Sequence, residues 1–123
     1  MSAATAEEPM VCAELWLSFG SLVRAYTAAA SLDVDPAPQV EIKGETICLT
    51  AGSARLAMNC DSKTGAGSWQ LTSAETVVRQ GQLQLLPEGR IELDGRTLDL
   101  DHAAIDLVAS AMNAAANPAR GAR

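Results

Sequence analysis

The sequence predicts an α+β domain: an N-terminal helix, an antiparallel β-meander of six or seven short strands, and a C-terminal helix packed on the sheet. Three observations carry that prediction. Apolar residues recur with a helical period at both ends of the chain, alternate with polar residues through the middle, and the alternating runs are joined by very short connections. A period of 3.6 marks one face of a helix, and a period of two marks a strand with one buried side. Short connections require hairpins, because parallel pairing needs a crossover of a dozen or more residues.

The elements follow in order. Residues 1–9 are small and acidic and read as a disordered or extended lead, ahead of a single domain over 10–117. Pro9 suits a first helical turn, where its missing N–H costs little. Leu15, Phe19, Leu22, Val23, Tyr26 and Ala30 then share one face, which predicts a helix over about 10–32. Trp16 lies on the flank of that stripe. Pro36 and Pro38 forbid continuation. Val40 and Ile42 alternate, Gly44-Glu45 turns the chain, and Ile47 and Leu49 alternate in turn. After Ala51-Gly52-Ser53 comes a third run of Ala54, Leu56, Met58 and Cys60.

Residues 61–67 are polar and glycine-bearing and read as a loop, and Trp69 and Leu71 mark a fourth strand. Residues 73–81 are ambiguous. Thr76-Val77-Val78 favours a strand, whereas Ser73-Ala74-Glu75 suits one helical turn. Leu83 with Leu85, and Ile91 with Leu93, give two further strands around Pro87-Glu88-Gly89. Asp94-Gly95 is a strong hairpin signal ahead of Leu98 and Leu100. Asp101 is read as the N-cap of the last helix, whose face is Ala104, Ile105, Val108, Ala111, Met112 and Ala115. Asn117-Pro118 ends it, and 118–123 reads as a frayed tail.

Composition narrows the function. Twenty-three of the 123 residues are alanine and only four are aromatic, so the core must be Leu and Val with Ala as filler. Such a chain has an incentive to bury surface against a partner, and a homodimer through the first helix or an edge strand is expected. The net charge is −6, with two lysines and scattered arginines. That excludes a phosphate-tracking nucleic-acid binder and favours, if anything, a basic protein or peptide partner. No apolar run reaches the roughly 18–20 residues of a membrane span. The first residues lack the basic and apolar regions of a signal peptide. Cys12, Cys48 and Cys60 match no zinc or redox spacing and read as reduced, buried thiols of a cytoplasmic protein.

The chemical motifs are few. His102 and Asp106 stand four apart on the last helix and are the one ionisable pair with metal-binding or proton-transfer spacing, but the stripe geometry leaves both solvated. Asp94, Asp99 and Asp101 near them do not fit a calcium loop. Ser62-Lys63-Thr64-Gly65 has its glycines on the wrong side of the lysine for a phosphate loop. No catalytic, metal or cofactor site is therefore expected. Trp16 and Trp69 stand out as a candidate interaction surface, because Trp is enriched in binding hot spots. The small size, acidity and helix–sheet–helix order resemble class I type III secretion chaperones in outline alone. The central helix of that family has no counterpart between Cys60 and Trp69. The reading is a small acidic non-enzymatic protein-binding or adaptor module. The alternatives are a small-ligand or lipid-binding domain and a small enzyme working through carboxylates.

Overall fold

Alternation in the middle of the chain becomes seven strands in one sheet. The protein is described by a computed structural model covering residues 2–30, 37–86 and 88–116. Helix α1 spans Ser2–Ala30. The strands are β1 (Gln39–Lys43), β2 (Thr46–Ala51), β3 (Ala54–Cys60), β4 (Ala66–Ser73), β5 (Thr76–Leu86), β6 (Arg90–Leu93) and β7 (Arg96–Asp99), and α2 (Leu100–Ala116) closes the order. Spatial order equals chain order, β1 to β7, and every neighbouring pair is antiparallel. This is the meander that the short connections require, with a strand count at the upper end of the expectation.

Three local expectations change. The helical backbone of α1 starts at Ser2 rather than near residue 10, so residues 2–9 belong to the helix instead of an extended lead. The ambiguous stretch 73–81 resolves into a two-residue turn and the start of β5. Ala74 and Glu75 both take left-handed backbone, φ 52° and 69°, and β-branched Thr76, Val77 and Val78 enter the strand. Asp101 is inside α2 rather than its N-cap. Asp99 stands at the position before the first helical residue, and its carboxylate meets His102 Nδ1 at 3.4 Å, three residues on. Asp101 instead accepts a 3.1 Å hydrogen bond from the Tyr26 hydroxyl, which ties α2 to α1. That bond, with some desolvation and the nearby charge, raises the Tyr26 phenol above its ordinary pKa. The expected tail 118–123 and the end of the first helix at 31–32 lie outside the described residues.

Register shows how the core is built. Ile42, Ile47, Met58 and Trp69 form one row across the strands, and Val40, Leu49, Leu56 and Leu71 form the next. Leu83 with Leu93, and Leu85 with Ile91, extend the same face. Both helices cover that face. Phe19 and Val23 of α1 and Ala103, Ala104, Leu107, Val108 and Ala111 of α2 are buried against it. Gly20 lets α1 lie close: a Cβ there would stand 2.8 Å from Ile42 Cδ1. The alanines of α2 play the same part, because short side chains allow a helix to settle near a sheet with few large residues. No helix among the described residues is long and apolar enough to cross a membrane.

Candidate functional site

The residues singled out from sequence do not assemble into a site. Trp16 and Trp69 are each 3% exposed and belong to the core cluster, so the interaction surface expected of them is not available. Trp16 stacks on Phe19 at a ring-centroid distance of 5.6 Å. The helical turn places Trp16 one step round from the predicted stripe, and that flank also faces the sheet because the apolar stripe of a packed helix is wider than one row. His102 and Asp106 have separate partners. His102 faces Asp99, and Asp106 pairs with Arg96 at 3.6 Å across exposed surface. Among the described residues, no group of three or more His, Cys, Asp or Glu is placed to hold a metal.

The three cysteines are free thiols. Cys60 lies in the core, and burial above all, with Cys12, Glu45 and Asp61 nearby, pushes its thiol up to about 12. Cys48 points to the opposite face of the sheet, where Arg55 Nε donates to its sulfur at 3.1 Å.

That opposite face, uncovered by either helix, holds a shallow open trough of about 540 Å³ across β3, β4 and β5. Ala57, Asn59, Ser68, Gln70, Gln80 and Gln82 line it. Gln70 Nε2 donates to Gln80 Oε1 at 3.3 Å, and Ser68 Oγ to Asn59 Oδ1 at 3.5 Å. None of its lining side chains titrates near neutral pH. The trough therefore lacks the acid and base that proton-transfer chemistry requires. Polar, neutral amides on an open sheet face are the ordinary solvated side of an antiparallel sheet.

The trough ends at a more unusual feature. β5 is eleven residues long, but β6 pairs with it only along Leu83–Leu86. The tip of the β6–β7 hairpin adds one more clasp: Asp94 N donates to the Gln82 carbonyl at 3.2 Å, and Gln82 N donates to Asp94 Oδ1 at 3.0 Å. Gly81 makes room for that carboxylate, because a Cβ at 81 would fall on it. From Gly81 back to Thr76, no strand among the described residues flanks β5 on that side. Ser73 and Thr76 close the two-residue hairpin. The alternation of an antiparallel ladder then turns the N–H and C=O of Val77 away from β4, toward the open side. The register steps between Leu71↔Arg79 and Thr72↔Val77, so Val78 is the extra residue of a β-bulge. Val77 and Val78 are 46% and 40% exposed.

Charged groups frame this edge. Arg79 lays its guanidinium 5.1 Å from the centroid of the Trp69 ring, and its Nη1 donates to Ser110 Oγ of α2 at 2.9 Å. Glu75 stands in the turn at the other end. Thus the segment that the sequence leaves unassigned forms the open edge. The available signal is the adjacent apolar pair Val77-Val78, which interrupts strand alternation. Comparison of the chain with models of protein families, with curated proteins and with solved structures finds no match.

Proposed function

We propose that the protein is a non-enzymatic protein-binding module that takes an extended segment of a partner onto the open edge of β5. One observation carries this reading: Thr76–Gly81 lacks a neighbouring strand on one side, and its two valines are exposed. Soluble proteins usually blunt such edges, because unpaired N–H and C=O groups together with apolar side chains invite another strand. In strand addition the main chain supplies hydrogen bonds, and alternate side chains supply selectivity. The Val77 backbone offers those bonds, and the valines offer an apolar contact. The absence of titratable groups from the trough argues for binding rather than catalysis. Three free thiols suit a reducing, cytoplasmic setting.

The test is a matched affinity capture from the source cells with the parent chain and with Val77→Pro. Proline at 77 removes an N–H that β4 does not use, so the fold is retained while the outward bond is lost. We expect captured proteins to be lost with Val77→Pro and kept with Leu17→Ala, a change at an exposed position on α1. Equal capture by parent and Val77→Pro overturns the reading.

A further inference from the structure

We infer that the outer edge of β1 takes β1 of a second copy of this chain, in an antiparallel two-fold pair centred on Ile42. The pairing is independent of the β5 edge and leaves that edge free. β1 is the first strand of the sheet, bonded to β2 on one side and to no strand on the other. All five of its residues keep register with β2, and exposed Gln39, Glu41 and Lys43 alternate with half-buried Val40 and Ile42. Lys43 and Thr46 close a two-residue hairpin, so Lys43 and Glu41 exchange their backbone bonds with β2. The N–H and C=O of Val40 and Ile42 therefore point away from β2. Arg24 of α1 reports the same direction, because its Nη2 donates to the Val40 carbonyl at 3.4 Å. No strand or backbone bond among the described residues meets Ile42 from that side.

The charges choose the occupant. Glu41 and Lys43 share the face that the helices leave uncovered, and neither forms an ion pair among the described residues. Glu41 is within electrostatic reach of Arg55 on β3, but the Arg55 Nε is held by Cys48. Pairing Ile42 with Ile42 of a second antiparallel strand sets Glu41 of each copy opposite Lys43 of its mate. These positions flank a hydrogen-bonded pair, where facing side chains stand closest. The competing register sets Glu41 against Glu41, which juxtaposes like charges, and it needs the Val40 carbonyl that Arg24 already holds. One register therefore suits both the charges and the main chain.

Helix α1 brings an apolar contact to the same edge. Gly20 seats the helix against Ile42. Helical rotation puts Leu17 and Arg24 on one flank of α1 and Tyr26, which bonds to Asp101 of α2, on the other. The reach of Arg24 to Val40 identifies the first flank as the one over the β1 edge. Leu17 is 58% exposed there, more than any other large apolar side chain among the described residues. An antiparallel two-fold keeps the helices of both copies on one face of the joined sheet, so the two Leu17 flanks face each other across the axis. A short strand and one helix flank make a small interface, and a net charge of −6 on each copy opposes contact. The pair is therefore weak and reversible, with mass depending on concentration.

Sedimentation equilibrium of the full chain tests this. The parent mass is expected to climb from 12.8 kDa toward twice that value as concentration rises. Glu41→Lys alone and Lys43→Glu alone each place like charges at the interface and should weaken the dimer about tenfold. Glu41→Lys lowers the net negative charge and Lys43→Glu raises it, so a general charge effect would move the two variants in opposite directions. An equimolar mixture of the two restores both opposite-charge pairs and should associate as well as the parent. Both positions are exposed, and circular dichroism verifies that the variants keep the parent fold. A parent that stays at 12.8 kDa throughout overturns the two-fold, as does an association that either reversal leaves unchanged or that the mixture fails to restore. Val77→Pro should leave the association intact, and its loss in that variant would place self-association on β5 and overturn the β1 pair. The outcomes separate the two proposals, since capture lost with Val77→Pro from a monomeric parent keeps strand addition on β5 and removes only the second copy on β1.

Discussion

Trp16 illustrates how a single side chain changes meaning with its surroundings. Half on the stripe and half off it, the residue reads from sequence as either a core anchor or an exposed contact. In the fold it is buried on Phe19, and its indole N–H has no hydrogen-bond partner among the described residues. An unpartnered buried N–H weakens the case for Trp over Phe, but the ring volume is needed. Trp16→Ala should therefore cost about 3–5 kcal/mol in urea unfolding, and Trp16→Phe much less. A Trp16→Ala protein with parent stability would show that the ring is not core. Cys60 supports a second residue-scale expectation. Burial pushes its thiol up to about 12, from 9.0 for an ordinary thiol. A folded pKa above the unfolded one means that the native state holds its proton longer. The stabilising contribution is therefore complete below pH 9 and is lost as pH rises toward 12. Parent stability should fall more steeply over that window than that of Cys60→Ala, read from denaturant midpoints at each pH. Iodoacetamide at neutral pH should also leave Cys60 unlabelled in the folded protein, since the thiolate is the nucleophile.

At the scale of elements, the turn Ala74-Glu75 and the strand after it show where sequence patterns lose their force. Both helices and six strands are legible because their apolar positions keep a period that packing on one face enforces. The start of β5 packs on nothing along one edge, so nothing enforces a period there, and the bulge at Val78 breaks the alternation outright. The turn is equally atypical, since a tight hairpin with two left-handed residues prefers Asn-Gly and has neither here. Replacing Ala74-Glu75 by Asn-Gly should stabilise the monomer by about 1 kcal/mol in chemical unfolding. An unchanged or lower midpoint would show that the turn is not strained. The helix boundaries were misplaced for a related reason. Periodicity marks the apolar stripe from Leu15 to Tyr26, and the helical backbone extends back to Ser2. The two tryptophans, by contrast, stand out by rarity, which carries no information about burial.

For the whole molecule, the sheet has three environments: a helix-covered face, a solvated amide face, and open edges along β1, β7 and the first part of β5. Backbone protection should follow those environments. Every strand from β2 to β4 has a neighbour on both sides, and the buried rows through Ile47, Leu49, Leu56 and Leu71 tie them to the helices. Opening that region requires global unfolding, so its amides should exchange most slowly. The amide of Val77 points to the open side and should exchange within the dead time of a dilute sample. Gly81, at the far end of the open stretch and paired with Trp69 of β4, should be slower. Hydrogen exchange followed residue by residue by NMR reads this ordering directly. Protection of Val77 already present in dilute solution would show that the chain closes this edge itself.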